Sequence, residues 1–240
     1  MTEKKGKGLV VLSGGLDSTC ALAFAKTECL QLAAISFDYG QKHTVELVCA
    51  QTIAEYYGIP WELVKVPGIP KRGSLLDPTA EMPHQTYEEI MESQGPSPTY
   101  VPFRNGTFLS LAAAYAQGNE FDCLYAGMHG EDAHNWAYPD CTPEFIGSMQ
   151  SAIYVGTYHQ VRLKVPFTYM TKAEVVGFGI DQGVPFHLTH SCYEGKRPAC
   201  GKCPTCVERL EAFRLSDAVD PLEYEFDRYR GKLLTVKEIT

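Results

Sequence analysis

The chain has 240 residues, 45% of them hydrophobic and 21% charged, so its length fits one large domain, or one with an appendage, that buries its own core. A formal net charge of -8 argues against a protein whose main task is gripping a nucleic-acid backbone. No apolar run approaches the roughly 18 residues of a membrane span, and the lysine-rich start over Met1 to Gly8 lacks the apolar stretch of a secretory signal, so a cytoplasmic protein without membrane contact is expected.

Gly8 to Leu12 is a short apolar run ending in Ser13-Gly14-Gly15, and an apolar-rich stretch of helical length follows over Thr19 to Leu30. This pattern predicts strand, glycine turn, helix. A second strand is expected over Leu32 to Phe37. Val45, Val48, Thr52, Ile53 and Tyr56 then keep a near-3.6 spacing that predicts a helix over Thr44 to Tyr57, stopped by Gly58, before a third strand over Trp61 to Val66. From Pro67 to Pro102 prolines and glycines erase the periodicity, which predicts a long functional excursion rather than a domain boundary. Helices over Asn105 to Gln117, Pro143 to Val155 and Thr171 to Asp181 alternate with strands over Phe121 to Gly127 and Val161 to Val165. Cys206 to Leu215 reads as a helix and the mixed-charge end from Asp220 as peripheral. Alternating strands and helices with continuous apolar strands predict an α/β fold, a doubly wound, mostly parallel sheet over residues 1–186, with a small segment 187–240 packed on the same domain.

The glycine turn lies where a strand meets a helix, so backbone N–H groups and the positive end of a helix dipole converge there on an anion. Ser13, Ser18 and Thr19 add hydroxyls, and Asp17 is placed to hold a metal ion or to fix the loop. No lysine follows the glycines as in a P-loop, and the spacing is not that of a dinucleotide fingerprint.

Of the nine cysteines, Cys20, Cys29, Cys49, Cys123 and Cys141 stand singly, and the odd count does not fit a secreted disulfide framework. Cys192, Cys200, Cys203 and Cys206 form a close array able to hold a tetrahedral metal. Zinc is favoured over an iron-sulfur cluster, because Lys196, Arg197 and Lys202 interleave with the thiols and no flavin or radical motif accompanies them. Four sulfur ligands leave no open position, so such a zinc folds the segment rather than activating water.

Ser13-Gly14-Gly15-Leu16-Asp17-Ser18 resembles the pyrophosphate loop of the ATP pyrophosphatases, which have the adenine-nucleotide-hydrolase type of fold. That resemblance implies ATP binding, with magnesium, at Leu12, Ser13, Gly14, Gly15, Leu16, Asp17, Ser18 and Thr19, with the adenosine beside Ser36 and Phe37 at the end of the second strand. Further segments extend the likeness: Phe37 to His43, Thr99 to Asn105, Tyr138-Pro139-Asp140-Cys141, Thr171-Lys172-Ala173-Glu174, and Arg209 after the cysteines. Together they resemble the 7-cyano-7-deazaguanine synthase family over most of the chain, from the first strand to about Arg209.

Membership implies ATP-dependent conversion of 7-carboxy-7-deazaguanine and ammonia into the nitrile that serves queuosine or archaeosine formation, together with a structural zinc and a homodimer. In that pattern Lys172 and Arg209 match basic positions suited to stabilising phosphate charge, with Asp17 as the third catalytic candidate. Asp132, Tyr138 and Asp140 become candidates for the deazaguanine, and Arg104 with Asn105 for the substrate carboxylate or phosphate. Two places depart from the family pattern: Phe103 stands where a glycine is common, and Ala133 to Ala137 is longer than the usual link. The alternatives are a paralogue that stops at the amide or transfers the acid to another amine, a tRNA-thiolating pyrophosphatase, and a non-catalytic zinc-ribbon binding module. The acidic charge, and cysteines grouped for metal, disfavour the tRNA-thiolating enzyme.

Overall fold

A computed structural model describes residues 6–42, 44–69, 74–77, 79–227 and 229. His43, Pro70, Pro78 and the last residues of the expected 187–240 segment lie outside the described residues. Each predicted strand and helix is present: β1 (Lys7–Val11), α1 (Leu16–Glu28), β2 (Gln31–Asp38), α2 (Val45–Tyr57) and β3 (Trp61–Lys65) form the first half. After the excursion, which contains α3 (Tyr87–Glu92), come α4 (Arg104–Gly118), β4 (Cys123–Tyr125), α5 (Pro143–Gly156), β5 (Arg162–Lys164), α6 (Lys172–Asp181) and α7 (Pro204–Leu215).

The strands form one five-stranded sheet in the order β3-β2-β1-β4-β5, and each neighbouring pair is parallel. Leu9 pairs with Ala33 on one side and Leu124 on the other, so β1 is central and buried on both faces. Its successive side chains serve opposite layers. Leu9, with Ile35, Leu124 and Leu163, packs against Leu109 and Ala112 of α4 and Ile146 and Ile153 of α5. Val10, with Ala34 and Tyr125, packs against Leu22 and Ala25 of α1 and Cys49 and Ile53 of α2. This two-sided cover is why the strands lack polar alternation.

Three local differences from the expected pattern have clear causes. α1 begins at Leu16 rather than Thr19, because Gly15 in extended geometry is its N-cap and the polar residues Asp17 to Thr19 fill the first turns. β4 is confined to Cys123–Tyr125, the three residues that pair with the whole of the short edge strand β5 on one side and with Gly8 to Val10 of β1 on the other. The excursion is not wholly irregular: α3 starts on a capping box in which Thr86 Oγ1 accepts from Glu89 N–H while the Glu89 carboxylate accepts from Thr86 N–H. The signal Thr-x-x-Glu was present, but one short helix carries too little apolar spacing to show a period.

Candidate functional site

The strand order reverses between β1 and β4, and a cavity of about 220 Å³ opens outside the carboxyl ends of those strands. Such a switch point is where open α/β sheets bind ligands, because the loops after adjacent strands diverge there. Leu12, Ser13, Gly15, Asp17 and Ser18 line it. Ser13 N–H donates to Ser18 Oγ at 3.1 Å, and the Ser18 hydroxyl donates to the Gly15 carbonyl at 3.1 Å, so the side chains set the shape of the loop. Gly14 does not line the cavity but makes the turn possible: its φ is +87°, and a Cβ there would lie 2.1 Å from the Glu46 carbonyl oxygen. Gly127, after β4, lets that loop approach equally closely, since a Cβ would stand 2.5 Å from the Asp17 carbonyl oxygen. Two of the predicted loop contacts face elsewhere. Leu16 is buried in the core, and Thr19, also buried, donates its hydroxyl to the Gly15 carbonyl at 2.7 Å.

Charge is concentrated beside the loop. Lys172, the first residue of α6, is buried, with Nζ 3.5 Å from both Asp17 Oδ2 and Glu208 Oε2. Burial works against the charge on Lys172, but Asp17, Glu208, Asp132 and Glu131 outweigh it and hold the ammonium above its ordinary range. Burial likewise opposes ionisation of Asp17, yet Lys172 and His129 keep its carboxyl below the usual range. Glu208 goes the other way: burial pushes it up to about 7 against the pull of Lys172. His129, only 1% exposed, points Nε2 to within 3.3 Å of Asp132 Oδ1 and 3.7 Å of Asp17 Oδ1. Asp17 Oδ1 and both His129 ring nitrogens have no hydrogen-bond partner among the described residues.

Elsewhere on the cavity wall, Phe37 stacks on Phe108 with ring centroids 4.5 Å apart. Ser36 is tied down, receiving Trp61 Nε1–H at 2.7 Å and donating to the Leu12 carbonyl. Arg104, Asn105, Asp132 and Tyr138 all line the cavity, as do Tyr39 and Tyr193, which the sequence did not single out. Arg104 donates to the Tyr39 hydroxyl at 3.4 Å, and the Tyr138 hydroxyl is held by Thr99 and Ser97.

Asp140, expected to meet the deazaguanine, is placed elsewhere. It does not line the cavity; buried, it accepts the first-turn N–H of Asn105 at 3.0 Å and so anchors the start of α4. Phe103 caps that helix with φ of +53°, the left-handed geometry that explains why a glycine suits this position. Its ring turns away from the cavity, packing on Gly106 and edge-on to Phe145, so it does not narrow the site.

Arg209, expected to meet phosphate charge, is also placed away from the cavity. Its side chain is fully buried outside the cavity. Nε and Nη2 grip Asp220 at 2.7 and 2.9 Å, Nη2 also donates to the Phe186 carbonyl, and Nη1 donates to Thr189 Oγ1 and Ser191 Oγ. These contacts use the five N–H donors a guanidinium has, leaving none for phosphate. Glu208, its neighbour on α7, faces the cavity instead.

The four clustered cysteines are buried, and their sulfurs all lie within 4.8 Å of one another. Tetrahedral zinc with bonds of about 2.3 Å needs sulfurs about 3.8 Å apart, close to the 4.0 Å between Cys200 Sγ and Cys206 Sγ. Backbone N–H groups of Cys200, Lys202 and Cys203 point at these sulfurs from 3.3 to 3.4 Å, which suits thiolates. The donor set therefore fits the metal. The segment also touches the glycine loop, because His190 N–H donates to the Gly14 carbonyl at 2.9 Å.

The sequence model of a family described as "Queuosine biosynthesis protein QueC" matches residues 7–217. A 7-cyano-7-deazaguanine synthase of Thermoplasma acidophilum is 40% identical over 226 residues, covering 92% of this chain and 93% of the relative. Another of Methanoregula boonei is 40% identical over 221 residues, covering 91% of this chain and 99% of the relative. Among solved structures, a 4-thiouridine synthetase in complex with RNA and bound ATP is similar at 18% identity and a TM-score of 0.47, over 96% of this chain and 50% of that one.

Proposed function

The chain belongs to the QueC family of queuosine biosynthesis proteins, carbon-nitrogen ligases of the queuosine-precursor pathway, and from that premise we propose that it converts 7-carboxy-7-deazaguanine and ammonia to 7-cyano-7-deazaguanine at the expense of ATP. The observation that carries this reading is one cavity lined both by the glycine loop with Asp17 and Lys172 and by Arg104. A phosphate donor fits beside the loop and Lys172, and a carboxylate acceptor beside Arg104.

A carboxylate resists ammonia because it is anionic and its oxygen leaves poorly. In the first step a carboxylate oxygen attacks the α-phosphorus, the bridging bond to the β-phosphate breaks, and pyrophosphate leaves as an acyl adenylate forms. The loop N–H groups and Ser13 receive pyrophosphate charge, and Lys172 stabilises the charge that builds at phosphorus. Arg104 orients the acid. Ammonia then forms the carbon-nitrogen bond, AMP leaves, and a proton is lost to give the amide. A second adenylation, now on the amide oxygen, lets loss of AMP and two protons leave the nitrile.

Asp17 Oδ1 has no hydrogen-bond partner among the described residues and Asp17 lines the cavity, so a magnesium ion brought with ATP fits there and would neutralise phosphate charge. The four cysteines would hold zinc, whose work is to fold the segment. That segment reads as an appendage of the same unit, because Ala212 and Phe213 of α7 share a core with Leu16 of α1 and Val175 of α6.

Incubating the protein with the acid, ATP, magnesium and ammonium, and following products by mass spectrometry, tests the reading. Nitrile with AMP and pyrophosphate is the expected result. Amide accumulating without nitrile assigns the paralogous activity, and no ATP consumption with this acid overturns both.

A further inference from the structure

A second cavity, of about 310 Å³, lies against the first, and Asp132, Tyr138, Lys172 and Glu208 form their common wall. Its outer wall is the excursion between β3 and α4: Ile90 and Met91 of α3 and the turn over Ser93 to Pro98. Hydrogen bonds stitch that wall to the segment after β4. The Tyr87 hydroxyl donates to Glu131 at 2.5 Å, Asn135 Nδ2 to the Met91 carbonyl at 3.0 Å, Gly95 N–H to the Asn135 carbonyl at 3.0 Å, and Ser97 N–H to the Ala137 carbonyl at 3.0 Å.

The inner wall sets what can occupy the space. Glu131, Asp132 and Glu208 face it with Lys172 as the basic partner, so the acid substrate and pyrophosphate, both anions, are repelled and a small cation is attracted. Glu131 has both oxygens engaged, one by Tyr87 and the other by the Lys172 N–H at 2.7 Å. That leaves Asp132 and Glu208 as the acceptors facing both cavities. His129 supplies an independent sign of a ligand. It lines the second cavity and not the first, is 1% exposed, and, although Nε2 comes within 3.3 Å of Asp132 Oδ1, has no hydrogen bond at either ring nitrogen among the described residues. Leaving a buried polar group unpaired costs about 1–3 kcal/mol, so such a group commonly has a missing partner. An ion carrying several N–H donors satisfies the imidazole and both carboxylates together. A site of this volume holds that ion with part of its water, since one water takes about 30 Å³ of liquid.

We propose that the second cavity admits ammonium from solvent and holds it on Asp132, Glu208 and His129 beside the activated acid, with the excursion as the wall of this nitrogen inlet. Ammonium has no lone pair, so it leaves one proton on Glu208, which faces both cavities, and enters the occupied first cavity as ammonia without displacing ATP or the acid. This role rests on the adenylation reading above, and the test separates the two.

Met91→Trp fills the second cavity from α3 and leaves the Met91 carbonyl bond to Asn135 in place. Ile90→Phe narrows the same cavity with a smaller change, and decides the matter if Met91→Trp does not fold. The expected result is a KM for ammonium raised about tenfold or more at fixed pH, with acid-dependent ATP-pyrophosphate exchange measured without ammonium unchanged within about twofold. A folded variant with an unchanged ammonium KM overturns the inlet, and so does a loss of exchange as large as the loss in the ammonium step. Absence of exchange in the unsubstituted protein overturns the adenylation reading and the inlet with it.

Discussion

Lys172 Nζ stands 3.5 Å from Asp17 Oδ2, so the first residue of α6 meets the first turn of α1 at the mouth of the glycine loop. Both groups are charged in a largely buried place, where a fixed cation acts on developing phosphate charge without first reorganising water. Lys172→Gln is expected to slow acid-dependent ATP-pyrophosphate exchange by about 10²–10³-fold. Lys172→Arg recovers little of it, because a planar guanidinium does not occupy the point held by an ammonium. Exchange assays on variants shown by circular dichroism to be folded check this, and exchange within about threefold of normal in Lys172→Gln would exclude the role.

The bond from His190 N–H to the Gly14 carbonyl ties the cysteine segment to the glycine loop. Loss of a zinc ion held by the four cysteines should therefore reach ATP. Cys200→Ser, or treatment with a strong chelator, is expected to lower the melting temperature and to raise the KM for ATP about tenfold, because segment folding and metal binding are coupled. Metal analysis, melting curves and ATP titration on one sample check it. Metal-free, folded protein with unchanged ATP affinity would show that the two sites are independent.

The order of strands, the glycine loop and the cysteine array were legible because each is local: a run, a turn or a spacing. What the sequence concealed depends on direction. Glu208 and Arg209 are adjacent on α7, about 100° apart around a helix, so one reaches the cavity while the other is locked inside against Asp220. Asp132 and Asp140 separate for a similar reason, since the backbone turns between them and sends the second under α4. His129, a lone histidine in a polar loop, carries no motif that marks it in the sequence. Its position just beyond β4 at the switch point was the available signal, because residues there face the ligand crevice.

Arg209 and Asp220 are both buried and joined by two hydrogen bonds, so removing either leaves an uncompensated charge. Breaking such a pair costs about 3–5 kcal/mol. At about 2–4 °C per kcal/mol for a chain of this size, Arg209→Gln is expected to melt roughly 6–20 °C lower. Its exchange rate per folded molecule should fall by less than about tenfold, in contrast to Lys172→Gln. A variant with normal melting and a rate lowered about 10²-fold or more would return Arg209 to the phosphates.

Glu28 lies far from the site, at the end of α1, where its carboxylate accepts from Lys164 Nζ and the Tyr125 hydroxyl at 2.8 Å each. Burial opposes the charge, but these two donors hold the carboxyl below its ordinary range. The folded state thus binds fewer protons than the unfolded chain between the two titrations, and stability rises with pH across that window. The contribution is complete above the unfolded value of about 4.3 and is lost as pH falls through the lower folded value. Because the pair is a third exposed, its effect is small: Glu28→Gln is expected to melt about 1–3 °C lower at pH 7. A metal on the four cysteines would be released on acidification in both proteins alike, so the informative quantity is the difference between their melting temperatures. That difference should shrink toward zero as pH is lowered through the carboxylate range, and a gap that persists or widens in acid would mean that packing, not the charge on Glu28, holds α1 to β4 and β5.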